Sequence, residues 1–171
     1  RAMMSKERRE MGEGTSAYDN ITAMGEFGIC LEEFHPYVDK NLPEPSEAAK
    51  QDALERIVAQ AYDVQIDVDH IKAAVAEGYP VVVGLRIFND LASETGFVPQ
   101  PTEEQINAPE ESGHSMVVCG YSDNERVFIV RNSWGADFGD RGYLYLPYGY
   151  IGDPRLNHSA KIITKINEAE I

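Results

Sequence analysis

The feature that most restricts the fold is a pair of apolar segments separated by a short polar turn in the C-terminal half of the chain. His114 to Tyr121 and Val127 to Arg131 are rich in β-branched and aromatic residues, and Ser122 to Glu125 lies between them. Strand-forming runs that are separated by a few turn residues pair as an antiparallel hairpin. The sequence therefore predicts a hairpin here, and its two ends away from the turn must be neighbours.

The other elements predict a mixed fold in which helices come first and mostly antiparallel strands follow. We predict helices over Arg1 to Met11, from a cap at Thr15 or Ser16 to Phe27, over Ser46 to Gln51, and over Val68 to Glu77 after the cap Asp67. We predict further strands over Arg56 to Val64, Pro80 to Phe88, Gly142 to Leu146 and Lys161 to Ile166. Asn89 to Gly113 is polar and is predicted to be a long loop. This order indicates an α+β fold and not repeated βαβ units.

The charge balance excludes two classes of partner. Lys and Arg total 15 against 29 Asp and Glu, so the formal net charge is −14. A surface this acidic repels phosphate backbones and anionic lipids, so we expect neither nucleic-acid nor membrane binding. No stretch approaches the roughly 20 apolar residues of a membrane span, and the N-terminus has no signal-peptide core. We expect a soluble domain whose compartment the sequence does not decide.

His114 and Asn132 are the chemically informative residues at the open end of the predicted hairpin. His114 opens the first strand, and Asn132 follows the second, so the hairpin can place them side by side. An amide oxygen that accepts from one ring nitrogen fixes the tautomer and the orientation of a histidine, and leaves the other nitrogen facing a nucleophile. A neutral Asn suits a thiolate–imidazolium pair, in which the proton already sits on the ring.

A glycine-rich stretch that contains the only tryptophan of the chain follows this asparagine. Asn132-Ser-Trp-Gly135 continues through Gly139 and Gly142, which allow tight turns that return the chain to the sheet. Trp134, packed over the contact between His114 and Asn132, would exclude water and strengthen that hydrogen bond.

Together these residues resemble the papain family of cysteine peptidases. The resemblance is carried by Gly113 to Tyr121, Phe128 to Gly135, and Gly139 to Tyr143, and it continues upstream in Gly14 to Ser16, Phe27 to Cys30, Glu33 to Tyr37, and Ile71 to Val81. It spans nearly the whole chain. Pro147-Tyr148 and the tail resemble the bacterial and phage-type branch more than the lysosomal cathepsins.

The resemblance implies a two-lobe fold and specific roles for four residues. Residues 1–45 would be the remainder of a helical lobe, and residues 46–171 a barrel-like antiparallel lobe that carries His and Asn. His114 would be the general acid/base, Asn132 the orienting residue and Trp134 a shield. Gly14 would pair its backbone with an extended substrate. No cofactor and no metal are expected.

The nucleophile of this family is not among the two cysteines of the chain. Cys30 follows a predicted helix C-terminus, where the helix dipole disfavours a thiolate, and we expect a half-buried structural thiol. Cys119 lies in mid-strand, and we expect it to be a small core residue. The family's Cys, with its oxyanion-hole Gln, is expected upstream of Arg1, which begins the sequence inside a helix-forming stretch.

Two functional hypotheses follow from different classes. In the first, the chain is the larger part of a papain-like cysteine peptidase that hydrolyses peptide bonds with a cysteine upstream of residue 1. In the second, it is a catalytically inactive papain-like domain with a binding or assembly role, and its partner is an N-terminal fragment or a larger particle. An amidase or transferase on the same fold would share the machinery of the first. A peptide or protein is the expected substrate.

Overall fold

The computed structural model describes residues 15–38, 43–88, 91, 95–109 and 112–168. The predicted helix Arg1 to Met11 and the predicted substrate-contacting Gly14 lie outside these residues. The helices of the described residues are α1 (Ala17–Phe27), α2 (Glu47–Ala53), α3 (Val68–Ala76), α4 (Glu103–Asn107) and α5 (Tyr148–Ile151). The strands are β1 (Arg56–Asp63), β2 (Val81–Arg86), β3 (Gly113–Ser122), β4 (Val127–Arg131), β5 (Tyr143–Pro147) and β6 (Asn157–Glu168).

The chain divides into two compact units. The first comprises Arg1–Ala61 with Ile163–Ile171, and the second is Tyr62–Ile162. The lobe boundary that the sequence suggests after residue 45 stays a prediction. No helix of the described residues is long and apolar enough to cross a membrane.

In the first unit, α1 begins and ends where local chemistry dictates. The Ser16 hydroxyl accepts a hydrogen bond from the backbone N–H of Asp19 at 3.1 Å, which caps the helix. The helix ends at Gly28, which has a φ of +76° and passes so close to α2 that an added Cβ would lie 1.8 Å from the Ala53 carbonyl oxygen. The next turn is held by the Asp52 carboxylate, which accepts from the backbone N–H of Leu31 at 2.8 Å and also binds the Arg56 guanidinium.

In the second unit, an antiparallel sheet supports the core. The order across the whole sheet is β1-β6-β2-β3-β4-β5, and the pairings of β2 with β3 and β6, of β3 with β4, and of β4 with β5 are antiparallel. Successive side chains of a strand point to opposite faces, so alternate residues enter the core. The fully buried set includes Val81, Val83, Leu85, Val118, Phe128, Val130, Leu144 and Leu146, with Ile71 of α3 and Ile151 of α5 packed against them.

The predicted α+β fold class and the predicted hairpin, formed by β3 and β4, are confirmed. Each predicted strand and each predicted helix within the described residues is present, with bounds that differ by a few residues. The β6 strand extends beyond the predicted range, Lys161 to Ile166, at both ends and spans Asn157–Glu168.

The prediction of one long loop over Asn89 to Gly113 is wrong in its second half, which contains α4. Thr102 and Gln105 form a reciprocal capping box, in which each side chain accepts from the other residue's backbone N–H. This Thr-x-x-Gln spacing is a helix-start signal that the sequence carries between Pro101 and Pro109.

The prediction that Cys119 is a core residue is also wrong. The register between β3 and β4 shifts between Val118 and Gly120, so Cys119 is an extra residue with no partner of its own on β4. Its side chain is exposed, and its thiol donates to the Ile129 carbonyl oxygen at 3.4 Å. Partial burial of the sulfur raises the pKa of the Cys119 thiol, although the nearby Arg131 opposes this shift. Cys30 is half-buried, as predicted.

Candidate active site

The hairpin brings His114 and Asn132 into direct contact. His114 is the second residue of β3 and lies opposite Leu85 of β2, while Asn132 directly follows the end of β4. The His114 Nε2 and the Asn132 Oδ1 are 2.8 Å apart. Asn132 is one of the few buried polar residues of the described chain, with 8% of its surface exposed.

A second hydrogen bond determines which way the Asn132 amide faces. Its Oδ1 also accepts from the backbone N–H of Ser133 at 2.8 Å, and its own backbone N–H donates to the Gly142 carbonyl at 2.9 Å. Because an amide oxygen only accepts, the hydrogen of the shared bond belongs to His114 Nε2. A neutral His114 ring therefore carries its free lone pair on Nδ1.

The aromatic residues after Asn132 cover this pair. Trp134 stacks on the His114 ring with a centroid distance of 4.7 Å and an interplanar angle of 26°. Phe138 in turn meets Trp134 edge-on, at 4.7 Å and 84°. Trp134 remains 46% exposed, so it covers the imidazole from a position at the protein surface.

The loop that carries these aromatic residues is anchored to β5. Gly142 donates from its N–H to the Phe138 carbonyl at 2.8 Å. Gly139 has a φ of +59°, and an added Cβ there would lie 2.5 Å from the Tyr143 carbonyl oxygen, so this turn requires glycine. The Tyr145 hydroxyl donates to the Asp140 carboxylate at 2.6 Å, which lowers the pKa of Asp140 and raises that of Tyr145.

The arrangement can accept or donate a proton at Nδ1 of an oriented imidazole. In the described ranges, no cluster of three or more His, Cys, Asp or Glu could hold a metal ion. Cys119 is on the same strand as His114, but the two are five residue steps of extended chain apart, about 16 Å. Its raised pKa further disfavours a thiolate.

Comparison with known proteins identifies the family of the chain. The profile described as papain family cysteine protease matches residues 6–163, which is most of the chain. The chain belongs to the papain family of cysteine proteases.

The relatives of this papain-family chain include viral and protozoan proteins. A peptidase C1-like protein of Acanthamoeba polyphaga mimivirus is 30% identical over 170 residues, which cover 91% of this chain and 53% of that protein. Falcipain-3 of Plasmodium falciparum is 30% identical over 145 residues, which cover 77% of this chain and 27% of that protein. The chain thus spans about half the length, or less, of these curated relatives.

A solved structure confirms the papain-like fold. Xylellain, a cysteine protease from Xylella fastidiosa, superimposes with a TM-score of 0.80 at 30% identity, and the match covers 93% of this chain and 66% of that one. The sequence-based resemblance to the papain family is therefore confirmed, as is the α+β fold class.

Of the site residues predicted from the sequence, the structure brings together His114, Asn132 and Trp134, and their roles stay predictions. Gly14 lies outside the described residues, and its role also stays a prediction. Phe138 was missed. The Phe-Gly pair at 138–139 was visible in the sequence, but nothing local shows that its ring meets Trp134.

Proposed function

We propose that this chain is the His–Asn part of a papain-like cysteine peptidase that hydrolyses peptide bonds. The observation that carries the proposal is the 2.8 Å contact between His114 Nε2 and Asn132 Oδ1 beneath the Trp134 ring. Papain-family membership supports it, and the similarity to xylellain supports placing the chain near the bacterial and phage-type members. The nucleophilic cysteine would lie in the whole protein upstream of Arg1.

In the proposed reaction, His114 moves one proton at Nδ1. The thiolate attacks the peptide carbonyl carbon, the C–N bond breaks, and the His114 imidazolium gives its Nδ1 proton to the leaving amine. Water then attacks the thioester while the neutral Nδ1 takes a proton from that water, and the C–S bond breaks, which releases the carboxylic acid and restores the thiolate–imidazolium pair. Throughout both steps Nε2–H stays bonded to Asn132, so the ring keeps its orientation.

The neutral side chain of Asn132 and the aromatic cover have complementary effects in this scheme. An amide orients the imidazolium without a full negative charge that would compete with the thiolate for it. Trp134 keeps water from the Nε2–Oδ1 bond, and a hydrogen bond in a drier environment is stronger. Phe138 holds the Trp134 ring in place through its edge contact.

A second candidate is a catalytically inactive papain-like domain with a binding or assembly role. The observation that favours it is that Cys119 is exposed on a bulge, with a raised pKa, about 16 Å of extended strand from His114. An amidase or transferase on the same fold would use the same His–Asn pair with a different acceptor.

The test is the intact mass of protein made from the full reading frame, with and without a thiol-reactive peptidyl inhibitor. The peptidase proposal expects one adduct on a cysteine upstream of Arg1, and loss of that adduct in His114→Ala. His70→Ala is the matched control because His70 is an exposed helix residue, and it should keep the adduct. Cys119→Ser should also keep it.

The absence of any adduct on a folded protein would overturn the peptidase proposal in favour of the inactive domain. Turnover of a peptide substrate with and without an added amine would separate peptidase from transferase activity, because hydrolysis of the acyl-enzyme gives a free carboxylic acid and transfer gives a new amide.

A further inference from the structure

Arg86, the last residue of β2, is a buried charge. Only 6% of its surface is exposed, and no carboxylate of the described residues forms an ion pair with it. Its guanidinium instead donates to four backbone carbonyl oxygens: Ile106 at 2.7 Å, Gln105 at 2.8 Å, Ala108 at 2.8 Å and Pro109 at 3.2 Å. Its Nε is buried and has no partner among the described residues.

These carbonyls belong to the end of α4 and the turn that follows it. The last carbonyls of a helix have no partner within the helix, and the helix dipole makes that end negative, so a cation is favourable there. The planar guanidinium presents several N–H groups in a fixed fork and can bind several carbonyls at once, which a lysine ammonium on its flexible stem cannot reproduce. Arg86 is thus a clamp on residues 105–109.

The same segment is attached to the second unit at two further points. The Arg155 guanidinium binds the Glu103 carboxylate at the start of α4, at 3.1 and 3.4 Å. At the other end, the backbone N–H of Ile87 donates to the Ser112 carbonyl at 3.0 Å. Of these attachments, only that of Arg86 is buried, so it is the least exposed to competition from water.

The clamped segment leads directly into the candidate active site. In the β2–β3 ladder, Arg86 lies opposite Gly113 and Leu85 lies opposite His114. His114 is the second residue of β3, and the first residues of a strand fray unless the preceding chain is held. The clamp therefore acts at the point where fraying would displace the imidazole from Asn132.

We propose that Arg86 is a positioning residue for His114: by binding the carbonyls of residues 105–109, it holds the chain that enters β3 and thereby keeps the His114 ring on Asn132. Arg86 acts through the backbone and does not touch the reacting atoms. The catalytic consequence rests on the proposed function, whereas the effect on the imidazole does not.

The experiment compares Arg86→Lys and Arg86→Met with Arg155→Met in the full-length protein. Arg155→Met is the matched control because it removes the exposed attachment at the opposite end of the same helix. Amide hydrogen exchange over residues 102–114 and the ring ¹⁵N signals of His114 are measured first. In Arg86→Lys we expect exchange there to accelerate about tenfold while exchange in α3 stays unchanged. The His114 signals should broaden or average between tautomers. Arg155→Met should leave both at wild-type values.

Activity provides the second readout. If the wild-type protein hydrolyses peptides, Arg86→Lys should lower kcat about tenfold and change KM less than twofold, because the proton-transfer group and not substrate binding is disturbed. Arg86→Lys with wild-type exchange and wild-type His114 signals would overturn the inference, whether or not Arg86→Met folds. Perturbed His114 signals in a protein without activity would overturn the proposed function and leave the role of Arg86 standing.

Discussion

At the scale of single residues, the site depends on one amide oxygen that accepts two hydrogen bonds. Asn132 Oδ1 binds both His114 Nε2 and the Ser133 N–H, while Asn132 Nδ2 is buried without a partner in the described part of the chain. Asn132 is therefore oriented by the two hydrogen bonds that its amide oxygen accepts, and its amide N–H groups gain no hydrogen bond within the described residues. A side chain that keeps the acceptor and removes the donor should keep the geometry.

The first prediction compares Asn132→Ala with Asn132→Asp. The Ala variant leaves two N–H groups without an acceptor, so we expect it to lose roughly 1–3 kcal/mol of stability. We also expect a mixture of His114 tautomers and, in an active enzyme, a fall in kcat/KM of roughly 10- to 100-fold. The Asp variant should keep Nε2 protonated. Ring ¹⁵N shifts of His114 measure the tautomer directly.

Ser133→Ala is the control, since it removes an exposed hydroxyl and keeps the backbone N–H. A single Nε2–H tautomer in Asn132→Ala would contradict this prediction, because the ring would then be oriented by something else.

How much of the site could be predicted differs from residue to residue. His114, Asn132 and Trp134 could be found because the hairpin pattern and the Asn-Ser-Trp-Gly block are local in sequence. Phe138 could not, because its contact with Trp134 depends on how the glycine turns fold the loop. Cys119 was misplaced because strict alternation assumes an unbroken strand, and a bulge is not visible in the pattern.

At the scale of elements, the loop between β4 and β5 holds the aromatic cover. Trp134 is the only tryptophan of the chain, so intrinsic tryptophan fluorescence reports on this loop alone. The Trp134 ring stacks on the His114 ring and also makes an edge contact with the Phe138 ring. The loop can thus be probed without any added label.

The second prediction concerns Phe138→Ala. Loss of the edge contact should free the Trp134 ring, with a red-shifted emission, stronger acrylamide quenching and a stability loss of about 1 kcal/mol. Phe97→Ala is the matched control because Phe97 is a half-exposed ring whose aromatic contact is a tilted one with Tyr145, at 4.6 Å, whereas Trp134 has its ring contacts with His114 and Phe138. Unchanged emission and quenching in Phe138→Ala would show that Phe138 does not hold the tryptophan.

The third prediction concerns the contact between α2 and β1 in the first unit. The Arg56 guanidinium and the Leu31 N–H both bind the Asp52 carboxylate, and the pKa of Asp52 is lowered chiefly by Arg56. A carboxyl group whose pKa is lower in the folded state contributes stability that is present above its ordinary pKa. That contribution is lost as the pH falls through the folded-state pKa. Asp52→Asn should therefore be less stable than wild type at pH 7, and the difference should shrink toward pH 3.

Urea unfolding at several pH values measures this difference. Glu55→Gln is the control, since Glu55 also contacts Arg56, at 3.5 Å, but is well exposed, and it should change little at any pH. A difference between Asp52→Asn and wild type that stays constant from pH 7 to pH 3 would contradict the assignment.

The elements that the sequence predicted well are those whose signals are local. Ser16 caps α1 and Asp67 caps α3, and each cap precedes an apolar pattern of helical period. In contrast, α4 has five residues and no such apolar pattern. The carbonyls at its C-terminal end are bound by Arg86, some twenty residues earlier in the chain. The capping box of Thr102 and Gln105 was visible in the sequence, but a cap without an apolar pattern of helical period does not by itself predict a helix.

At the scale of the whole molecule, the sequence determined the fold class but not the packing units. The strand periodicity of the second unit gave the antiparallel sheet, and the family motifs gave the papain-like fold that xylellain shares. Along the chain, the boundaries between the two units fall after Ala61 and after Ile162. No composition change marks either place, because contact density is a property of the folded chain and not of a segment.

The fourth prediction concerns the net charge of −14 and its effect on stability. With 29 acidic and 15 basic side chains, many carboxylates have no basic partner available, and their mutual repulsion favours expanded states. The Debye length falls from about 30 Å at 0.01 M salt to about 8 Å at 0.15 M, so NaCl should screen this repulsion. Salt also weakens surface ion pairs such as Lys72 with Asp123 and Arg155 with Asp153, but such pairs contribute little individually. Raising NaCl from 0.01 to 0.15 M at pH 7 should therefore raise Tm by about 2–4 °C, which corresponds to roughly 1 kcal/mol for a chain of this size.

The same salt step near the isoelectric point, about pH 4.6, is the control and should have little effect on Tm, because the net charge is then close to zero. A Tm that falls with salt at pH 7 would mean that the ion pairs outweigh the repulsion between carboxylates.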